Sequence, residues 1–343
     1  AGMQRRTVLS VVGTTAPLGA LGVGVASGHV GGARSDAPVE RSAGMVARRG
    51  LRYARLPDRA GVLDLYRPPG VGPFPVLMWT SGSGWTSDAG NRGAEDLARA
   101  LVPHGWAVAA YSTRSSAQAT FPAHVHDANA AVRWLRAEAD AFDLDSDRIA
   151  IGGSSSGGWT ALMVGYTTGR PGYDGTVGGH WGTSSAVRAV VDFYAPVHLR
   201  SLDVHMRPGA CRRLNEHLGA RHCHSDDRGY ESRMLGRPVT QTLALADEAS
   251  PLHHVHGQAP PTLIVHGTGD DVVPEEQSAE LYEALVRHGV PSVHYEVRGG
   301  EHVVGLGQNG TAAARVRSQG LPEHARRPAF SAEAVVGFLD AVV

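Results

Sequence analysis

The chain has 343 residues, and its 32 Lys and Arg nearly balance its 33 Asp and Glu, which gives a formal net charge of −1 at pH 7. This length suits one large domain or two small ones. The balanced charge excludes a whole-molecule field that would attract nucleic acid or an anionic membrane surface, and it favours a small molecule or a neutral polymer as the partner.

The N-terminal segment has the features of an export signal. Arg5 and Arg6 precede a weakly apolar run, residues 8–26, that ends in small residues, as in a cleavable signal of the twin-arginine route. The alternative is an uncleaved membrane anchor. Several glycines and Pro17 make this run a poor spanning helix, which needs about 20 strongly apolar residues.

These features set the expected domain boundaries. Ala1 and Gly2 precede a methionine and resemble a cloning remnant. We expect residues 1–33 to be the signal segment, residues 34–48 a disordered linker and residues 49–343 the folded domain. The mature protein is then expected to be secreted, without stable insertion in a membrane.

Beyond the linker, short apolar runs alternate with segments of helical periodicity. Strands are predicted at residues 62–66, 75–79, 107–111, 148–151, 188–194, 262–265 and 293–297. Helices are predicted at residues 94–102, 123–139, 155–164, 275–287 and 331–342. This alternation favours a mainly parallel sheet with helices on both faces. Residues 199–250 interrupt it, are polar and rich in Arg and His, and are interpreted as an insertion near the active site.

The predicted strand at 148–151 runs through a Gly/Ser-rich turn into a predicted helix. Gly153, Ser155 and Gly157 fit the pattern G-x-S-x-G, in which a serine occupies a sharp strained turn and its neighbours two residues away must be small. The helix N-terminus that follows favours a developing oxyanion. Ser154 and Ser156 are rival nucleophiles, but neither is centred between the two glycines. Ser155 is therefore the predicted nucleophile.

Both cysteines of the chain, Cys211 and Cys223, lie in the insertion. Export to an oxidising compartment favours a disulfide between them, and two free thiols are an alternative. A zinc site is a further alternative, although no spacing matches a recognised metal motif. Its possible ligands around Cys223 are His217, His222, His224 and Asp226.

A serine nucleophile needs a base, and the base needs an orienting carboxylate. In the fold to which G-x-S-x-G belongs, acid and histidine follow the serine in that order, each after a later strand. Asp270 follows the predicted strand at 262–265, and His302 follows a Gly-Gly turn after the strand at 293–297. Asp271 is the competing candidate for the acid. We favour Asp270 because its position matches the motif.

Further segments carry a family resemblance. They are LDLYRP at 63–68, FPA through AVRWL at 121–135, ASPL at 249–252 and the helix that begins with QS at 277–285. With the elbow, they make residues 49–304 similar to the α/β-hydrolase esterases and lipases that include hormone-sensitive-lipase-like, feruloyl-esterase-like and acetylxylan-esterase-like enzymes. The resemblance implies the α/β-hydrolase fold and hydrolysis of a carboxylic ester, and it leaves the natural ester open.

One segment departs from the family pattern. The family carries His-Gly-Gly-Gly-Trp where this chain has Ser-Gly-Ser-Gly-Trp at 81–85. The resemblance implies an oxyanion hole formed by the backbone N–H groups of Ser83, Gly84 and Ser156. Backbone donors do not depend on side-chain identity, but the Cβ of Ser83 restricts a turn where the family has glycine. The resemblance and side-chain size suggest three pocket-wall residues, for which core packing is the alternative: Trp85, Trp159 and Tyr194.

The expected function is that of a serine carboxylesterase that acts through an acyl-enzyme and needs no metal or cofactor. The covering insertion and the bulky Trp85 and Trp159 favour short acyl chains. The expected partner is a small ester or an acylated polysaccharide, and the oligomeric state is left open. The alternatives are an amidase or exopeptidase with the same triad, and a non-catalytic binding protein on a hydrolase fold.

Overall fold

The computed structural model describes residues 39–42, 44–57, 59–306 and 312–343, so the predicted signal segment lies outside the described residues. The strands are β1 (Val39–Ser42), β2 (Met45–Arg55), β3 (Ala60–Arg67), β4 (Phe74–Thr80), β5 (Ala107–Tyr111), β6 (Leu144–Ser154), β7 (Val190–Phe193), β8 (Thr262–Gly267), β9 (Ser292–Val297), β10 (Ala312–Gln319) and β11 (Ala329–Phe330). The α-helices are α1 (Glu95–Leu101), α2 (Ala123–Ala137), α3 (Ser156–Thr167), α4 (Leu202–His205), α5 (Ala210–Leu218), α6 (Tyr230–Leu235), α7 (Leu243–Glu248), α8 (Glu276–Arg287) and α9 (Ala332–Val342). Among the described residues, none of the helices combines the length and the apolar character that crossing a bilayer requires.

All these strands form one sheet with the order β1-β2-β3-β5-β4-β6-β7-β8-β9-β10-β11. The pairs from β5 through β4, β6, β7 and β8 to β9 are parallel, and the outer pairs are antiparallel. The carboxyl ends of the parallel strands therefore meet at one edge of the sheet, where catalytic side chains of α/β folds usually lie.

The core has two layers, one on each face of the sheet. Val76 and Met78 of β4 belong to the layer that contains α2, α3 and α8, whereas Leu77 and Trp79 belong to the layer that contains α1 and α9. Successive side chains of a strand point to opposite faces, so a strand buried on both sides must be apolar throughout. The predicted mainly parallel sheet with helices on both faces agrees with this arrangement.

The fold begins earlier than the sequence indicated. Residues 39–42 form β1 and residues 45–48 begin β2, and these two strands pair with each other and extend the sheet through β3. The prediction of a linker over residues 34–48 is therefore wrong for these residues. Backbone pairing along a sheet edge stabilises them, although β1 is exposed and carries polar side chains.

Candidate active site

The loop after β6 has the strained geometry of a nucleophile elbow. Ser155 has φ 52° and ψ −124°, which is an unfavourable backbone conformation for a residue with a Cβ, and its N–H donates to Phe193 O at 2.8 Å. A Cβ on Gly153 would lie 2.3 Å from the Gly157 carbonyl carbon, and one on Gly157 would lie 2.0 Å from Thr80 O. The two glycines thus let the turn close against β4, which leaves the Ser155 side chain at the end of the sheet.

Ser155, His302 and Asp270 form a chain of hydrogen bonds. His302 Nε2 lies 3.1 Å from Ser155 Oγ, and His302 Nδ1 lies 2.8 Å from Asp270 Oδ2. The other Asp270 oxygen, Oδ1, accepts the N–H groups of Val272 at 2.7 Å and Val273 at 2.9 Å. Ser155 and His302, which are 147 residues apart in sequence, therefore meet Asp270 with the geometry needed for proton transfer from a serine hydroxyl.

The Asp270 carboxylate is buried and yet stays ionised. Burial raises its pKa, but hydrogen bonds from His266 and His302, together with the electrostatic attraction of these two rings, outweigh this and hold the pKa well below its usual range. Asp271 has a different environment, because its side chain is 40% exposed and pairs with Arg207 and Arg213 at the rim of the site. The structure therefore brings Asp270, rather than Asp271, to the histidine.

A second histidine, which the sequence analysis did not single out, also contacts Asp270. His266, at the end of β8, has Nε2 2.9 Å from Val273 O and 3.2 Å from Asp270 Oδ2, and its Nδ1 lies 2.7 Å from Ser278 Oγ. With a proton on Nε2, the ring donates to both oxygens while Nδ1 accepts the hydroxyl of Ser278. His266 thus fixes the position of the carboxylate. Its spacing of four residues from Asp270 was the signal available in the sequence.

The loop at 81–85 is fastened to the elbow by the two serines that flank Ser155. The N–H of Gly82 donates to Ser154 Oγ at 3.1 Å, and the N–H of Ser83 donates to Ser156 Oγ at 3.0 Å. One predicted oxyanion donor, Ser83, is therefore already engaged. Within the described part of the chain, the N–H groups of the other two donors, Gly84 and Ser156, have no hydrogen-bond acceptor. Ser154 and Ser156, the rival nucleophiles, instead position this loop.

A cavity of about 700 Å³ opens above Ser155 and His302. One wall consists of the elbow and the loop at 81–85, with Trp85 and Tyr194, and the Tyr194 ring lies 4.9 Å from the His302 ring. The opposite wall comes from the predicted insertion, which therefore lies at the site. Its lining residues are Arg213, Leu214, His217, His224, Tyr230 and Glu231.

Trp159 does not have the predicted place in the pocket wall. Its side chain is fully buried, its Nε1–H donates to Ala249 O at 2.7 Å, and its ring packs edge-on against Trp85 at 5.3 Å. The prediction of Trp159 as a pocket residue is therefore wrong. Trp159 lies on the inner side of α3, and it supports Trp85 from behind.

Comparison with known proteins identifies the family. The BD-FAE family model matches residues 63–285. The chain belongs to the BD-FAE family. It is similar to the esterase LipQ of Mycobacterium tuberculosis, with 29% identity over 272 residues that cover 77% of this chain and 58% of that protein. It is also similar to the probable carboxylic ester hydrolase LipM of the same organism, with 29% identity over 230 residues that cover 66% of this chain and 49% of that protein.

The chain thus spans about half the length of the curated relatives it matches. Among solved structures, a truncated carbohydrate esterase from gut microbiota is 28% identical, with a TM-score of 0.64, over 75% of this chain and 88% of that one. An esterase of Thermogutta terrifontis, 22% identical with a TM-score of 0.56 over 78% of this chain and 84% of that one, shares the fold. The predicted α/β-hydrolase fold and the resemblance to its esterase family are confirmed.

In this BD-FAE member the two cysteines close a short loop within the insertion. Cys211 in α5 is joined to Cys223 as a disulfide with a Cα–Cα distance of 5.2 Å, and the Cys223 N–H donates to Asn215 Oδ1 at 2.8 Å. Two of the residues considered as zinc ligands around it, His224 and Asp226, have other partners. His224 lies 2.9 Å from both Glu231 Oε2 and Val272 O, and Asp226 accepts backbone N–H groups of residues 221, 222 and 228.

We expect the Cys211–Cys223 disulfide to be present in protein secreted into an oxidising medium and to stabilise the insertion. A loop of 12 residues closed in this way contributes about 3 kcal/mol. Replacing both cysteines by serine should therefore lower the melting temperature by about 5–10 °C. Alkylation under denaturing, non-reducing conditions followed by mass spectrometry checks the bond, and two alkylated thiols would contradict it.

Proposed function

We propose that this protein is a carboxylesterase whose catalytic triad is Ser155, His302 and Asp270. The observation that carries the proposal is the hydrogen-bonded chain from Ser155 Oγ through His302 to Asp270 at the floor of an open cavity. The elbow geometry of Ser155 supports it, because this turn presents the hydroxyl next to a helix N-terminus. The names of the relatives, esterases and carboxylic ester hydrolases, support the same reaction type.

The mechanism follows from the positions of these groups. As Ser155 Oγ bonds to the ester carbonyl carbon, its proton moves to His302 Nε2, and the carbonyl π electrons move onto the oxygen. The N–H groups of Gly84 and Ser156 donate to this oxyanion, and the hydroxyl of Ser156 can release Ser83 N–H as a third donor. Asp270 holds the proton on Nδ1 and stabilises the imidazolium. The imidazolium then protonates the leaving alcohol as the C–O bond breaks, which leaves an acyl-enzyme.

Water completes the cycle through the same residues. His302 Nε2 takes a proton from water as the hydroxide oxygen attacks the acyl carbon, and it returns that proton to Ser155 Oγ as the acyl bond breaks. The carboxylic acid then leaves through the cavity. These steps use only groups of this chain, namely the triad and the backbone donors near it.

The reaction type is tested by two measurements on the purified chain. We expect hydrolysis of p-nitrophenyl acetate and covalent labelling of Ser155 by a fluorophosphonate, located by peptide mass spectrometry. Matched p-nitroanilides and aminoacyl p-nitroanilides test the amidase and exopeptidase alternatives. Labelling without turnover of any ester would contradict an esterase, and absence of both labelling and turnover would favour a binding protein.

The proposed esterase should prefer short acyl chains. We expect its specificity constant to be highest for acetyl to butyryl esters. Trp85 lines the cavity, and the Tyr230 ring packs so closely on Gly84 that a Cβ there would lie 2.4 Å from it. Each further methylene would add about 0.8 kcal/mol of binding if it had room, but overpacking against these rings cancels that gain. A p-nitrophenyl series from acetate to palmitate measures it, and a steady rise to palmitate would contradict the short-chain proposal.

We further propose an exported protein that acts on a small ester or an acylated saccharide. The paired arginines of the N-terminal segment and the disulfide in the insertion both suit an oxidising, extracytoplasmic compartment. The solved carbohydrate esterase with 28% identity supports a saccharide on the alcohol side. The polar wall formed by Arg213, His217 and Glu231 offers hydrogen bonds for its hydroxyl groups.

A further inference from the structure

Outside the active site, two histidines and a carboxylate come together where the insertion begins and ends. His198 precedes the insertion, Asp247 lies in its last helix, α7, and His253 lies in the 3-10 turn Pro251–His254 that returns the chain to the body of the fold. One ligand atom of each residue lies within 4.8 Å of the other two. We propose that His198, Asp247 and His253 bind a divalent transition-metal ion of the Zn²⁺ class, which links the two ends of the insertion.

To bind one ion, the three ligand atoms need to move only slightly closer together. The His198 and His253 rings have their centroids 5.2 Å apart, and His253 Nδ1 lies 3.8 Å from Asp247 Oδ1. Ligand atoms around a tetrahedral Zn²⁺ lie roughly 3.4 Å apart, given bonds of about 2.0–2.2 Å. The His253 side chain is 40% exposed, so it can rotate by the required distance without disturbing the core. The fourth position would be open to water.

A further carboxylate adds negative charge next to the three ligands. Glu280 of α8 has Oε2 3.7 Å from His198 Nδ1 and Oε1 3.8 Å from His205 Nδ1. Glu280 Oε2 and His205 Nδ1 are buried and have no hydrogen-bond partner among the described residues. A carboxylate beside one ring nitrogen orients the ring so that its other nitrogen is available to a metal, and it increases the basicity of the ligand. Glu280 is placed to orient His198 in this way, because it lies beside the Nδ1 atom of that ring.

A competing cation, Arg200, contacts the Asp247 carboxylate. Arg200 NH1 lies 2.9 Å from Asp247 Oδ2 and 3.2 Å from Oδ1. Its side chain is 43% exposed, so it can keep the bond to Oδ2 while Oδ1 turns to the metal. Two imidazoles with one carboxylate suit Zn²⁺, Ni²⁺ or Cu²⁺, whereas Ca²⁺ and Mg²⁺ need a larger set of oxygen ligands.

The ion would act on the insertion as a whole. The residues between His198 and His253 include α5 and α6, which supply one wall of the cavity above Ser155. A ligand that binds only the folded state stabilises it by mass action, so the insertion would be held in place when the ion is bound. This is a structural role, and the proposal does not depend on the ester-hydrolysis proposal.

Isothermal titration of the EDTA-treated full chain with ZnCl₂ tests the site. We expect one ion per chain and a melting temperature that rises by about 5 °C at a hundredfold excess over the dissociation constant. His253→Ala and Asp247→Asn should each weaken binding at least about tenfold, because even the loss of a residue that only orients a ligand costs about that much. His288→Ala is the matched control, because this exposed histidine lies outside the cluster, and its binding should equal that of the unaltered chain.

Four results would overturn the proposal. One is the absence of a saturable ion in the unaltered chain. A second is unchanged affinity in both His253→Ala and Asp247→Asn, with circular dichroism showing that the variants are folded. The third is loss of binding in His302→Ala together with full binding in His253→Ala, because the ion would then occupy the active site. Binding of MgCl₂ with the same affinity would likewise contradict a site of imidazole ligands.

Discussion

Ser155→Ala is expected to lower kcat for p-nitrophenyl acetate about a millionfold, to the level of residual binding and oxyanion stabilisation. The alanine has no oxygen to form the acyl-enzyme, and His302 Nε2, now 3.1 Å from Ser155 Oγ, loses its hydrogen-bond partner. The substitution removes one atom next to an open cavity, so the fold should remain. Initial rates with purified protein, together with loss of fluorophosphonate labelling, measure the effect.

The flanking serines provide matched controls of the same size. Ser154→Ala removes the acceptor of the Gly82 N–H, and Ser156→Ala removes the acceptor of the Ser83 N–H. Each loses one neutral hydrogen bond, so we expect changes of about tenfold or less. A Ser155→Ala variant that keeps most of the activity, while Ser154→Ala or Ser156→Ala loses it, would mean that the nucleophile has been misplaced.

The parts of the fold that the sequence predicted well share one physical property. The central strands, such as β4 and β5, are buried on both faces, so they read as continuous apolar runs with clear ends. The elbow was equally clear, because steric crowding at Gly153 and Gly157 permits few residue types. The order in which serine, acid and histidine follow one another along the chain of this fold then located Asp270 and His302 after later strands.

The outer strands β1, β2, β10 and β11 were not predicted, because they lack that property. β2 carries four arginines, bends at two register irregularities and contributes residues to both core layers, so its pattern is neither alternating nor continuous. β10 contains arginines that pair with the acidic residues of neighbouring elements, among them Arg317 with Glu296. β2 and β10 are strands because each pairs with an adjacent strand. The residue pattern within one segment does not contain that information.

Contacts between distant segments also determine the roles of individual side chains at the site, and a local sequence pattern does not reveal them. Trp159 and Trp85 have the same residue type and lie near the same motif, yet one is enclosed by the core and the other faces the cavity. His266 was one of 18 histidines, and only its contact with Asp270 distinguishes it. The engagement of the Ser83 N–H by Ser156 depends on the distance between two loops, which sequence spacing does not define.

The second large effect concerns the acid of the proposed triad: Asp270→Asn is expected to lower kcat about ten-thousandfold. The carboxylate oxygen Oδ2 now accepts from His302 Nδ1 at 2.8 Å and so keeps the proton on that nitrogen. An asparagine can instead donate its amide N–H to Nδ1, which moves the ring proton to Nε2. His302 would then face Ser155 with a donor and could not accept the serine proton.

Asp271→Asn is the matched comparison, since it changes the neighbouring residue in the same way. Asp271 pairs with Arg207 and Arg213 at the exposed rim, and exposed ion pairs contribute about 0–1 kcal/mol, so its rate should change less than about tenfold. The two positions differ in contact, because Asp270 accepts from His302 Nδ1 whereas Asp271 pairs with the two arginines. Equal losses in both variants, or a larger loss for Asp271→Asn, would exclude Asp270 as the residue that orients His302.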